Sequence, residues 1–218
     1  MSGNISNSMD DYLFEFAYSI ALRDAVMQKA YKGEKKHLAN NIEAKMLVKK
    51  YIQKVFNGEN PCFYSTEKEV ENSFKRLHFG TAYPAFSFGN TQKLINMTAK
   101  YMFLATYNDE EKRDRFKCCH CPVDSIMLGK VIELVEELSE KDKEELKEIL
   151  LNKRVPAFDS EDGISKIIIF EKGWKAEFTK PWSKIKTDRY DTFQVIVKYL
   201  AEKENTNPIG FDYMHWML

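Results

Sequence analysis

Apolar residues recur along most of the chain at intervals of three and four, the period of helices buried on one face. The first such stretch predicts a helix from Asp10 to about Lys32, capped by Ser8 or Asp10 and stopped at Gly33. A second runs from about Asn40 to Asn57, with Ile42, Met46, Leu47, Tyr51, Ile52, Val55 and Phe56 on one face and Gly58 closing it. Thr66 and Glu69 read as a capping box opening a short helix through Val70, Phe74 and Leu77. After an aromatic loop, Phe79 to Gly89, a helix is expected from about Asn90 to Tyr107. The charged stretch Asn108 to Lys117 is followed by a helix from Val123 to Leu138. Ser139 with Asp142 then caps an acidic helix reaching Leu151. Ile167 to Phe170, the turn Glu171-Lys172-Gly173, and Trp174 to Phe178 form the one good strand signal, a short hairpin. Helical period returns over Thr187 to Lys203, and Asn207-Pro208 opens a last helix to Trp216.

The expectation is a mostly α fold with one small β-hairpin. No repeat, low-complexity tract or Pro/Ser-rich linker divides the 218 residues. They read as a single helical unit, or as two lobes flanking a cleft. Lys plus Arg and Asp plus Glu both number 33, which excludes a strongly basic nucleic-acid coat while leaving room for a local basic groove. Apolar residues make up 44%, enough for a real core, yet no apolar run approaches the roughly 20 residues of a membrane span. The start, Met1-Ser2-Gly3-Asn4, lacks a basic region followed by an apolar block. A cytoplasmic protein that does not enter the membrane is expected.

Three constellations could carry chemistry. Lys93, Met97 and Lys100 lie on one stripe of a helix, and Met97 suggests that the stripe faces inward or into a cleft. Apolar neighbours would desolvate an ammonium there and favour the neutral amine that a nucleophile requires. Read by spacing alone, two lysines reaching from the core edge to water account for the stripe more simply. Asp124, in Pro122-Val123-Asp124, sits where a helix begins, and by itself reads as a cap. Asp212 and Trp216 are one turn apart near the C-terminus. A carboxylate and an indole suit a planar heterocycle with N–H donors, although a capping Asp and a core Trp would look the same.

Taken together, these patches resemble the helix-hairpin-helix DNA glycosylase superfamily, and are most like its archaeal 8-oxoguanine glycosylase branch. There, a helix-opening catalytic lysine is followed seven residues on by a base-contacting lysine, as Lys93 is by Lys100. A Pro-Val-Asp motif follows about thirty residues later; here Asp124 lies 31 positions after Lys93. An Asp and a Trp four apart near the C-terminus help hold the flipped base, the spacing of Asp212 and Trp216. Gln28 matches, more weakly, a base-reading glutamine. The likeness covers about 86–128 and 206–218. Gly89-Asn90-Thr91-Gln92-Lys93 keeps only the first glycine of the usual hairpin, and Met97 stands where the family has a stacking aromatic.

The resemblance implies a helical bundle of the helix-hairpin-helix glycosylase type, with a catalytic segment at about 86–138. It implies a monomeric, cofactor-free glycosylase and AP lyase acting on damaged DNA, with Lys93 as nucleophile and Asp124 as its acid–base or electrostatic partner. Lys100, Asp212, Trp216 and Gln28 would bind the base. The alternatives are a non-catalytic helical nucleic-acid or nucleotide binder, and a helical interaction protein whose spacings are accidental. Cys118 and Cys121 have C-x-x-C spacing with His120 between them, but only the distant Cys62 remains to complete a shell. No metal is therefore expected.

Overall fold

The structure is a computed structural model that describes residues 9–27, 38–39, 41–77, 86–106, 108–152 and 181–216. Every regular element among them is helical. The predicted hairpin, Ile167 to Phe178, lies outside the described residues, as do Gln28 and Gly33. The chain divides into two compact units, Met1–Cys119 and His120–Leu218.

The first unit holds α1 (Asp11–Ala25), α2 (Ile42–Phe56), α3 (Phe63–Leu77), α4 (Phe88–Ala105), the short α5 (Glu110–Asp114) and a 3-10 turn, Arg115–Cys118. Asp10 caps α1, its carboxylate accepting from the N–H groups of Tyr12 and Leu13. Ala17, Ala21 and Ala25 recur every fourth residue on the buried face of α1. A ridge of small side chains lets two helix axes approach closely, and α1 packs along α4. Helices α2 and α3 pack on each other and on α4.

On α2 the buried stripe is Ala44, Val48, Tyr51, Ile52, Val55 and Phe56. Ile42 and Met46, expected on that face, are instead solvent-exposed. The reason is phase. Ala44 and Val48 take the inward positions, while Lys45 and Lys49 between them pair with Glu15 and Asp11 of α1.

Helix α3 starts one turn before the predicted capping box. The hydroxyls of Ser65 and Thr66 donate backwards to the carbonyl of Cys62, and Thr66 is a first-turn residue rather than a cap. Burying Phe63 in line with Val70 and Phe74 favours the extra turn. The charged stretch after α4 contains α5, capped by Asp109, and the 3-10 turn that buries Phe116 edge-on against Phe56 and Phe103.

The second unit holds α6 (Ser125–Glu137), α7 (Glu140–Asn152), a 3-10 turn at Trp182–Lys184, α8 (Thr187–Lys203) and α9 (Pro208–Trp216). The predicted caps are present at both ends of it. Ser139 and Asp142 exchange hydrogen bonds at the start of α7, and Asn207 accepts from the Gly210 N–H at the start of α9. Helix α9 packs on α6 and α8, and α7 packs on α8. No described helix is long and apolar enough to cross a membrane.

Candidate functional site

The first group of residues rides on α4. Ser87 adopts an extended conformation and accepts from the Asn90 N–H, while Asn90 Oδ1 accepts from the Ser87 N–H: a reciprocal capping box. That box sets the start of the helix two residues earlier than predicted and puts Lys93 in its second turn. Every residue from Gly89 to Lys100 is buried, including Thr91, Gln92, Asn96 and Thr98.

A helix enclosed on all sides ordinarily carries apolar residues. This one provides internal partners for its own polar groups. Thr91 donates to the Ser87 carbonyl, Gln92 to that of Gly89, Asn96 to the Gln92 side chain and Thr98 to the Leu94 carbonyl. Within it Lys93 is 8% exposed and Lys100 3%. The Lys100 ammonium is shut off from solvent, so the simpler reading, a lysine that reaches from the core edge to water, does not fit Lys100. Burial is not confined to the Lys93–Met97–Lys100 stripe, so the stripe is one side of a wholly enclosed segment.

The second group lies in the other unit. Asp124 is the cap of α6: its backbone is extended and its Oδ1 accepts from the Met127 N–H at 2.9 Å. It is 8% exposed. The cap bond fixes where this carboxylate points, so any chemical role must operate from that orientation. Asp212 is 1% exposed in the second turn of α9, whose cap is Asn207. It is therefore not a capping Asp. Trp216, on the same face, is 46% exposed and is not a core Trp. The structure thus brings Asp124, Asp212 and Trp216 onto two helices that pack together, and puts both lysines on one helix of the first unit.

Gln194 and Tyr190, which the sequence did not single out, hold the segment before Asp124 through Cys121 and His120. The side-chain amide of Gln194, on α8, brackets Cys121: the Cys121 N–H donates to Gln194 Oε1 at 3.0 Å, and Gln194 Nε2 donates to the Cys121 carbonyl at 2.8 Å. This pair holds the extended segment leading to Asp124 as a strand neighbour would. Beside it, His120 Nδ1 and the Tyr190 hydroxyl are 2.8 Å apart. Burial lowers the His120 imidazole to about 4, so it is neutral at physiological pH. These contacts span about seventy residues and leave no local pattern to read.

Among the described residues no group of three His, Cys, Asp or Glu side chains is placed to hold a metal ion. Cys62, Cys118, Cys119 and Cys121 are free thiols. A polar surface groove between α2 and α3, lined in part by Lys50, Lys54, Cys62 and Ser65, includes none of Lys93, Lys100, Asp124, Asp212 and Trp216. No family model matches the chain, and the searches of curated proteins and of solved structures give no match either.

Proposed function

We propose that the protein is a DNA glycosylase and AP lyase of the helix-hairpin-helix type, which excises an oxidised purine such as 8-oxoguanine through a lysine Schiff base. The observation that carries this reading is the burial of two lysines, seven residues apart, inside one helix. Lysine is among the residues least often buried, and its enclosure costs stability that a purely structural position has no reason to bear. In this reading Lys93 is the nucleophile and Lys100 contacts the base. Asp212 accepts from the purine edge, and Trp216 offers the stacking surface. The monomer acts in the cytoplasm on damaged DNA without a cofactor.

The chemistry balances with these residues. The Lys93 amine, once it has given up a proton, attacks C1′ of the damaged nucleoside, the N-glycosidic bond breaks, and the base departs with the bonding electrons and takes up a proton. Opening of the sugar ring leaves a protonated imine on Lys93. Loss of a C2′ proton then expels the 3′-phosphate by β-elimination, and hydrolysis of the imine restores the amine. Asp124 stabilises positive charge on the sugar or accepts the amine proton. The base must leave the stack before any of this and then meet polar and aromatic partners, the roles proposed for Lys100, Asp212 and Trp216.

Borohydride trapping on a duplex containing 8-oxoguanine is the test. The wild-type chain should become covalently linked to DNA, and Lys93→Ala should lose the link, base release and strand cleavage while remaining folded. Full activity in Lys93→Ala would overturn the assignment. The second reading, a non-catalytic nucleic-acid or nucleotide binder, is favoured by the commitment of Asp124 Oδ1 to the cap of α6. It predicts DNA binding with no trapped adduct.

A further inference from the structure

We propose that Gln194 is a positioning residue for the carboxylate of Asp124, setting the orientation from which that carboxylate assists base excision. The inference rests on the glycosylase reading and adds to it a residue that acts through another. Its basis is the planar side-chain amide of Gln194, which engages both backbone groups of Cys121. The amide oxygen accepts from the Cys121 N–H at 3.0 Å, and the amide nitrogen donates to the Cys121 carbonyl at 2.8 Å. Two such bonds to one residue fix its distance and its tilt together, as pairing with a neighbouring strand does. No strand is present among the described residues to do this instead. One turn earlier on α8, the Tyr190 hydroxyl and His120 Nδ1 are 2.8 Å apart. Residues four apart share a helix face, so one face of α8 grips two consecutive residues of the segment.

Little slack separates this grip from Asp124. The ring of Pro122 holds its φ at about −65°. Val123 is fully buried, and its branched side chain has restricted rotamers. Asp124 is itself extended, with φ −139° and ψ 179°, and its Oδ1 accepts from the Met127 N–H. The carboxylate is thus anchored from two helices, by the first turn of α6 on one side and by α8 through Cys121 on the other. The cap bond sets where one oxygen lies. A bond to one oxygen defines a point and not a plane, so the tilt of the carboxylate follows the backbone that leads into it. The Gln194 clamp fixes that backbone.

The residue type suits the task. A carboxamide offers a donor and an acceptor side by side without a charge, whereas a carboxylate or an ammonium would serve only one of the two Cys121 groups. Gln194 therefore acts by geometry. A misplacement of about 1 Å can cost about 100-fold in rate, so a side chain remote from the reacting atoms can govern turnover.

The test is a double-mutant cycle on the full chain. Single-turnover release of 8-oxoguanine and affinity for the same duplex are measured for the wild type, Gln194→Leu, Asp124→Asn and the double variant. Asp124→Asn keeps a good cap acceptor and removes the carboxylate. Gln194→Leu should slow base release at least about 10-fold, with duplex affinity held within about twofold. In the Asp124→Asn background the same substitution should cost less than about twofold, because no carboxylate remains to be positioned. Gln194→Met, unbranched and similar in length to glutamine, replaces Gln194→Leu if the latter does not fold. Equal losses in the two backgrounds would make Gln194 a structural group and overturn the proposal, as would a Gln194→Leu or Asp124→Asn protein as fast as the wild type. These outcomes leave the glycosylase reading standing. A wild-type chain that releases no base overturns that reading, and the role of Gln194 with it.

Discussion

The side-chain amide of Asn90 donates to the carbonyl of Ala25 at 2.6 Å, tying the first turn of α4 to the last turn of α1. The same side chain closes the capping box with Ser87. One residue therefore satisfies a helix start and a helix end that are 65 positions apart. Asn90→Ala should cost about 1–3 kcal/mol, the range for leaving buried polar groups without their partner. Asn90→Asp keeps the cap acceptor but puts carboxylate oxygens against the Ala25 carbonyl, and should be no better tolerated. Urea unfolding checks both, with an unchanged m-value showing that the fold itself is retained.

At Asp124 the cap and the proposed chemistry can be separated. Asp124→Asn retains a good cap acceptor and should leave stability within about 0.5 kcal/mol, whereas Asp124→Ala should lose about 1 kcal/mol. If the carboxylate assists base excision, both variants should lose at least about 100-fold in turnover, the lower range for a positioned acid–base group. Single-turnover cleavage read beside thermal melts distinguishes the roles. A stable and fully active Asp124→Asn would make the residue a cap alone.

For Asp212 the expectation concerns substrate choice. Asp212→Ala should lower kcat/KM on 8-oxoguanine DNA by the equivalent of roughly 1–3 kcal/mol, because donors on the buried base lose their acceptor. Activity on an abasic site, which needs no base pocket, should largely persist. Equal losses on both substrates with a lower Tm would make Asp212 a structural group of α9.

Glu67 predicts a pH dependence of stability. It lies on the buried face of α3 between Phe63 and Val70, and its Oε1 has no hydrogen-bond partner. Burial raises its carboxyl to about 7, Glu71 adds repulsion, and Lys75 partly offsets both. An acid whose folded value lies above its unfolded value of about 4.5 binds more protons in the folded chain. Its contribution is complete below about pH 4.5 and is lost as the pH rises through about 7. Glu67→Met should flatten this part of the profile and be the more stable protein at pH 8, by about 1–3 kcal/mol. Chemical denaturation at pH 5 and pH 8 measures the difference, and a gain of equal size at both values would refute the titration account.

Local chemistry was readable from the sequence wherever it stayed local. Asp10, the Ser139–Asp142 pair and Asn207-Pro208 open helices at or next to the predicted positions, because a cap needs only the next three residues. Thr66 misled because its capping pattern is also what a first-turn threonine looks like, and only the burial of Phe63 decides between them. The spacing of Lys93 and Lys100 was plain, but their enclosure was not: it depends on tertiary packing around α4, which α1, α2 and α3 contact. The Gln194 clamp on Cys121 and the isolated carboxyl of Glu67 are tertiary facts of the same kind.

The enclosure of α4 also constrains how the chain is made. Its contacts with α1 join residues such as Asp24 and Tyr101, 77 positions apart, and Ala25 and Asn90, 65 apart. At roughly 5–20 residues per second of synthesis, α1 emerges several seconds before the helix that it must cover. Until α4 follows, the apolar faces of α1, α2 and α3 lack the element that they share. Non-local contacts of this length slow folding as well. The nascent first unit is therefore a substrate for chaperones over that interval, and a chain truncated before Phe88 should be recovered as aggregate rather than as a smaller folded domain.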